Sequence, residues 1–545
     1  MATVSFDGAI VASTADDIYR VEDGITASAD GPVVDASAAA TGRQLVIKGT
    51  LEALSGTAVL FGDATLTASE TQFRIEAGGT FKSADIGMVS TLSGFEMRNS
   101  GLVLTANTGF DISGNDHKFV NDGVMSSTDG DLIHSSGQAT VLSNGSGKVL
   151  ANGVVVRATG DDLEVLNYKT MRSYADTGVI SSGLNTKFEN SLSFKAALDG
   201  IDSSGDGLSV INSGKMAAGS GAVVRTSGDG AVIVNNKDMK GGEGGILSAG
   251  DGFDLTNYGK ITASGTALHL GGDDATVLSY GRFKGDIGVK ISGDDTTFTN
   301  GDKIIGTSKS HAAVVITADG ETAFTNAATI AAKSGVAIKA GDGSEHILNE
   351  SWIDGDVILG GGDDWFSTKA YQVGGVVKGG KGDDIYVISG YLDPGTVMFK
   401  EGKGQGQDTI QTDTSWVLGK NFENVTLWGD AVIDATGNSR ANVLIGNDEQ
   451  NTLSGGRGKD VLTGHGGSDL FVFKDRGGQD TITDFENGID HIDLRKVSDI
   501  GDFGELEKHI SGDSDHVYID IGKGGAIVLV DFDIKHISAD DFWFT

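Results

Sequence analysis

Cysteine is absent from the 545 residues, and proline occurs only twice. No disulfide braces this chain, so its stability outside a cell would have to come from something else. Aromatic residues make up 7%, and no run of about 18 apolar residues occurs, so no segment reads as a membrane-spanning helix. Basic residues are outnumbered: 41 Lys and Arg stand against 76 Asp and Glu, a formal charge of −35. That balance argues against nucleic-acid binding, which wants a basic face, and against adsorption to anionic lipid. It also makes folding depend on cations that relieve the self-repulsion. The opening residues show no basic segment followed by an apolar one, so no ordinary signal peptide is expected.

Glycine is abundant, with 84 residues, and 38% of the chain is hydrophobic. Such a composition suits a repetitive β fold with many tight turns. The repeat is visible in asparagine. Asn99, Asn121, Asn144, Asn167, Asn190, Asn212, Asn235 and Asn257 fall 22 or 23 residues apart, then Ser279, Asn300, Asn326 and Asn349 continue the series. Around each lies a turn, a β-rich run, the Asn, a short strand and a second apolar run. That period is one rung of a parallel β-helix. The Asn column reads as a ladder of side-chain amides inside a bend. A second column, with Asp161, Asp206, Asp229, Asp251, Asp273 and Asp294, lies six residues earlier in each rung. It reads as a solvated Gly-Asp turn, with a cation-binding edge as the sharper alternative.

Near the end, four nine-residue units stand in tandem, starting at Gly437, Gly446, Gly455 and Gly464. Their sixth residues are Asn442, Asn451, Asp460 and Asp469, and their eighth are Leu444, Leu453, Leu462 and Phe471. Six residues turn and three form a strand whose eighth residue points inward. Two units make a coil, so turns 437 and 455 stack on one side and 446 and 464 on the other. These units, with Leu359–Ser367 and Gly379–Val387, are similar to the nonapeptide of the RTX (repeats-in-toxin) family. Asp408-Thr-Ile and Asp480-Thr-Ile resemble degenerate copies.

The resemblance implies several Ca²⁺ ions between stacked turns. Their ligands would be the carboxylates of Asp364, Asp384, Asp408, Asp460, Asp469 and Asp480. Backbone carbonyls at Gly360, Gly362, Gly379, Gly382, Gly455, Gly458 and Gly464 would complete the sites. Asn442 and Asn451 bring only neutral oxygens, so their half-sites are expected to be weaker or merely capping. The segment 537–545 resembles the uncleaved signal read by type I exporters.

The expected fold is all-β: a right-handed parallel β-helix over 46–354, then an RTX β-roll over 355–473, degenerate at 390–436. A small C-terminal β cap with the export signal follows at 474–545. Residues 1–45 fit the rung pattern poorly and read as a cap or docking segment. No His-Glu-x-x-His and no cluster of Asp, His and Arg on adjacent rungs is found. The expected function is a secreted, calcium-dependent structural solenoid, a self-assembling surface-layer, filament or adhesin subunit. Its expected partners are further copies of itself, cell-surface glycan and the type I export machinery, at a bacterial cell surface. The alternative is an extracellular polysaccharide lyase or C5-epimerase-like enzyme, since parallel β-helices joined to RTX modules occur in such enzymes.

Overall fold

The computed structural model describes residues 2–5, 10–11, 18–30, 33–36, 44–61, 71–391 and 398–544. They form two compact units, Met1–Val314 and Val315–Thr545. The first unit is a parallel β-solenoid with three short strands per coil. One coil is Glu96–Asn99, Leu102–Thr105 and Phe110–Ile112; the next is Lys118–Asn121, Val124–Ser127 and Ile133–Ser135. Each strand lies parallel and in register with its successor one coil on, as in Met97↔Phe119, Val103↔Met125 and Phe110↔Ile133. Alternation decides what points inward. In Glu96–Asn99, Met97 and Asn99 are buried while Glu96 and Arg98 face out. The inward position of the first strand stacks Phe73, Met97, Phe119, Leu142, Val165 and Phe188 through successive coils, each fully buried. Burying each such side chain is worth about 1.5–3 kcal/mol.

The bend after the first strand holds the asparagine ladder. Asn99 Nδ2 donates to Asn121 Oδ1 at 2.8 Å, and the chain of amides continues coil by coil to Asn257. It ends on Ser279 Oγ at 3.1 Å. In several coils the second amide hydrogen goes to a carbonyl of the next coil, as from Asn99 to Val124 at 3.1 Å. Asn suits the site because one planar group carries an acceptor and two donors, and every buried one must be used.

The described part of 1–45 is built as coil. Ile18–Val21 lies parallel to Gln44–Ile47, and Ile25–Asp30 to Thr50–Ser55. The rung was hard to read there because Val21, Ile47 and Ile75 hold the place that Asn takes from 99 on. Asp16, Asp17 and residues 37–40 of the expected cap lie outside the described residues.

The second unit is also a parallel solenoid. One row of strands runs Glu321–Asn326, Ser344–Asn349, Trp365–Lys369, Ile385–Ser389, Thr409–Thr412, Asn424–Leu427, Val443–Ile445, Val461–Thr463 and Gln479–Ile482. Its own short ladder links Asn326 to Asn349 at 2.7 Å and Asn349 to Thr368 Oγ1 at 2.9 Å. In the tandem block the first three strands shrink to three residues, the fourth is Leu470–Lys474, and Leu444, Leu453, Leu462 and Phe471 fill the core. Val443 pairs with Val461 and Thr452 with Leu470, so alternate turns share a side, as the nine-residue spacing requires. An antiparallel hairpin, His516–Gly522 and Gly525–Val530, then lies against Gln479–Ile482.

Candidate metal centre

Register brings the sixth residues of the repeats into two columns. The pairing of Trp365, Ile385, Thr409, Asn424, Val443, Val461 and Thr481 stacks the residues just before them: Asp364, Asp384, Asp408, Glu423, Asn442, Asp460 and Asp480. The degenerate copies at Asp408 and Asp480 therefore sit in line with the regular ones. Opposite, Asn451, Asp469 and Asp490 stack by the pairing of Thr452, Leu470 and His491.

Each carboxylate divides its two oxygens. Oδ1 of Asp364 accepts the N–H of Glu345 at 2.8 Å, and Oδ1 of Asp384 that of Asp364 at 3.0 Å. Asp408 takes the N–H of Asp384, Asp460 that of Asn442, Asp480 that of Asp460, and Asp469 that of Asn451. The other oxygen, Oδ2, is buried without a hydrogen-bond partner in Asp364, Asp384, Asp408, Asp460 and Asp469. These carboxylates are at most 2% exposed. A buried, unpaired carboxylate oxygen is costly, and a hard cation is the group that satisfies it.

The turns are shaped around that oxygen. Position two and position four of the Gly455–Asp460 turn, Gly456 and Gly458, adopt φ of +100° and +142°. Gly360, Gly362 and Gly382 do the same in their turns. These are conformations that a Cβ resists. Gly379, Gly455 and Gly464 at position one are needed for space instead. A β-carbon there would overlap Oδ2 of Asp384, Asp460 or Asp469. Leu359, which breaks the pattern at position one, is fully buried in the core.

Burial sets the protonation. In the calcium-free chain it lifts Asp384 to about 8 and Asp408, Asp469 and Asp480 to about 7, each chiefly by desolvation. Desolvation also raises Asp364, Asp460 and Glu345. Acid groups held this far above their ordinary range mark a place where negative charge lacks its counter-ion.

Asn442 and Asn451 behave differently. Asn442 Oδ1 accepts the N–H of Asn438 at 2.8 Å, and its Nδ2 donates to the carbonyls of Phe422 and Glu423. Asn451 likewise takes the N–H of Asn447 and donates to the carbonyl of Ile433. Both amides cap their own turns. Beside them Arg440 Nη1 lies 2.7 Å from Glu423, so a guanidinium neutralises that level of the column.

Four carboxylates escaped the sequence reading: Glu423 and Asp490 in the columns above, and Glu345 and Glu401. Glu345 is 1% exposed, both its oxygens lack partners, and it continues the column one coil before Asp364. It stands where the repeat has Asp, in Gly341-Asp-Gly-Ser-Glu345, a weak signal. Glu401 has none: it lies outside the nine-residue spacing. Yet its carboxylate, with those of Asp384 and Asp408, brings three oxygens within 4.8 Å of one another. It also accepts the Gly379 and Gly380 N–H groups and the Tyr386 hydroxyl. An all-carboxylate cluster next to backbone carbonyls suits Ca²⁺ better than a thiophilic metal.

Comparison with known proteins agrees. Residues 436–471 match the RTX calcium-binding nonapeptide repeat, in four copies. The endo-1,3-1,4-beta-glycanase EglC of Rhizobium meliloti (strain 1021) is 39% identical over 164 residues, 30% of this chain and 34% of that protein. The endo-1,3-1,4-beta-glycanase ExsH of the same strain is 34% identical over 166 residues, again 30% and 34%. The chain thus spans about a third of the length of these curated relatives. Among solved structures, the extracellular lipase LipA from Serratia marcescens is similar over 45% of this chain and 42% of that one, at 13% identity and a TM-score of 0.16. This chain carries RTX calcium-binding nonapeptide repeats on a parallel β-solenoid.

Proposed function

We propose that this protein is an extracellular structural solenoid that reaches its final fold only on meeting calcium outside the cell. It would serve there as a surface-layer, filament or adhesin subunit. The observation that carries this reading is the row of buried carboxylate oxygens without partners, in a chain that has no cysteine and a formal charge of −35. Calcium, when bound, supplies the positive charge those oxygens lack and ties neighbouring coils together. Asp384, Asp408 and Glu401 form the most charged site, and Asp460 with Asp480 and Asp469 with Asp490 form two others. The backbone carbonyls of the glycine turns complete them. Extracellular sites of this kind bind with a Kd on the order of 10⁻⁴–10⁻³ M, too weak to fill in a cytosol. Export by a type I machinery reading the C-terminal segment fits a chain that stays open until then.

Electron microscopy with and without millimolar calcium tests the assembly. Ordered sheets or fibres that dissolve in chelator are expected; a monomer under all conditions overturns self-assembly. Circular dichroism that is the same in EGTA and in calcium overturns the calcium requirement itself.

A polysaccharide-modifying enzyme is the second reading, favoured by the two relatives named as endo-1,3-1,4-beta-glycanases. New reducing or unsaturated ends released from mixed-linkage β-glucan, alginate or pectin establish it; intact polymer after prolonged incubation removes it.

A further inference from the structure

The formal charge of −35 hides a basic face in the first unit. The second strand of each coil presents two outward columns. One carries Lys148, Lys215, Lys260 and Arg282, with Thr170, Ser193 and Asp238 between them in register. The other carries Arg172, Lys195, Lys240 and Lys284. All but Arg282 are exposed, and Arg282 is half-buried. The eight cations span seven coils, or about 30 Å at the rise of a parallel stack. Asp238 is the one acid in these two columns.

Among the described residues, none of these cations makes an ion pair. On other faces of these coils Arg157 pairs with Asp131 at 2.6 Å, Lys187 with Glu164 at 2.8 Å and Arg225 with Asp199 at 3.3 Å, whereas Lys169 and Lys237 make no ion pair among the described residues. Arg172 and Lys195, and Lys260 and Arg282, are direct neighbours up the stack. Like charges one rung apart repel, and a chain so rich in acids has ample means to pair them. Here it does not.

Tyrosines border the face. Tyr258 and Tyr280, two residues before Lys260 and Arg282, are exposed and stack on each other at 5.4 Å with their planes 10° apart. On the far edge Arg172 lies over the ring of Tyr174 at 4.3 Å. The Tyr258–Tyr280 pair spends its inner faces on itself and offers edges and hydroxyls.

We propose that this face binds a linear anionic polysaccharide whose carboxylates meet the lysine and arginine columns and whose hydroxyls meet the tyrosine edge. Charge at every coil matches a polymer with charge at regular intervals, not a compact ligand. The exposed edges and hydroxyls of the stacked tyrosines offer hydrogen bonds to a polyol. The inference goes beyond the calcium reading and stands on the first unit alone.

The test uses the full chain in calcium, with hyaluronan as the carboxylate polymer because it does not gel with that ion. Titration calorimetry is expected to show binding that weakens with salt and is absent for neutral dextran. The triple variant Lys195→Glu, Lys215→Glu, Lys240→Glu should weaken it by roughly ten-fold or more. The same three positions changed to Gln, with circular dichroism unaltered, should weaken it less. Tyr258→Ala with Tyr280→Ala should also weaken it while leaving the salt dependence intact. Equal binding by wild type and the triple Glu variant overturns the proposal, as does equal binding of dextran. Tighter binding of oligothymidylate than of hyaluronan also overturns it. So does a wild-type dimer in sedimentation velocity that the triple Glu variant dissolves, since the face would then receive the acidic column of a second copy.

Discussion

A single methyl group tests the turn chemistry at the residue scale. Gly455 leaves no room for one against Oδ2 of Asp460, whereas Gly466 has its nearest neighbour 3.8 Å from the added carbon. Gly455→Ala is therefore expected to lower calcium affinity by about ten-fold, and Gly466→Ala to leave it nearly unchanged, in calcium titration calorimetry. Protonation gives a second prediction. The folded, calcium-free chain holds Asp384 at about 8 and Asp408, Asp469 and Asp480 at about 7, against an ordinary 3.8. Raised folded values mean that the folded form keeps protons the unfolded form has lost. Their stabilising effect is complete below about pH 4 and disappears as pH rises through 7 to 8. Calcium competes with the same protons. Its affinity should fall between about pH 8 and pH 6, and binding should release protons, so the observed enthalpy should change with the buffer's ionisation heat. Equal affinity at both pH values would contradict the burial seen here. The position-six aspartates were legible because a fixed spacing repeats them. Glu401 was not, because only the folded coil carries it to Asp384 and Asp408, and no interval in the chain records that approach.

The coil is the unit of stability at the scale of elements, and the asparagine ladder is its most exacting part. Asn190 accepts from Asn167 and donates to Asn212, each at 2.8 Å, in a fully buried bend. Asn190→Leu removes the ladder acceptor of Asn167 and the ladder donor of Asn212, whose Oδ1 keeps only the N–H of Gly214. Each orphaned group should cost about 1–3 kcal/mol, read as a shift in the urea unfolding of the first unit. The same change at Ser279 should cost less, since it removes a ladder bond from one neighbour, Asn257, rather than from two. The period was readable from this column alone, because a planar amide has few substitutes inside a bend. Where Val21, Ile47 and Ile75 take its place, an apolar residue serves the bend equally well and the sequence loses its marker. The acidic column of the first unit makes turn hydrogen bonds from coil to coil. Oδ1 of Asp206, Asp229, Asp251 and Asp273 each accepts the N–H of the matching residue one coil later, and the side chains lie exposed.

Two units with different needs make up the whole molecule. Buried unpaired acids gather in Val315–Thr545, while the aspartate column of Met1–Val314 satisfies itself with backbone. Adding EGTA should therefore release amide exchange protection across the second unit and leave the first largely protected. Uniform loss across both would show that the first unit also depends on the ion. The broad architecture was open to a reader of the chain because both repeats recur in a few residue types: asparagine in most of the bends, aspartate and glycine in most of the turns. The two ladders differ in direction. Aspartates of the first unit reach forward, each gripping the coil that follows. Asp384, Asp408, Asp480 and Asp490 reach backward, each gripping the coil before it. A clasp of that kind fastens each turn to the one before it, so the carboxylate of one turn holds the backbone of its predecessor. Losing Asp480 or Asp490 should accordingly unfasten the turn of Asp460 or Asp469, and losing Asp364 that of Glu345, read as faster amide exchange at those residues.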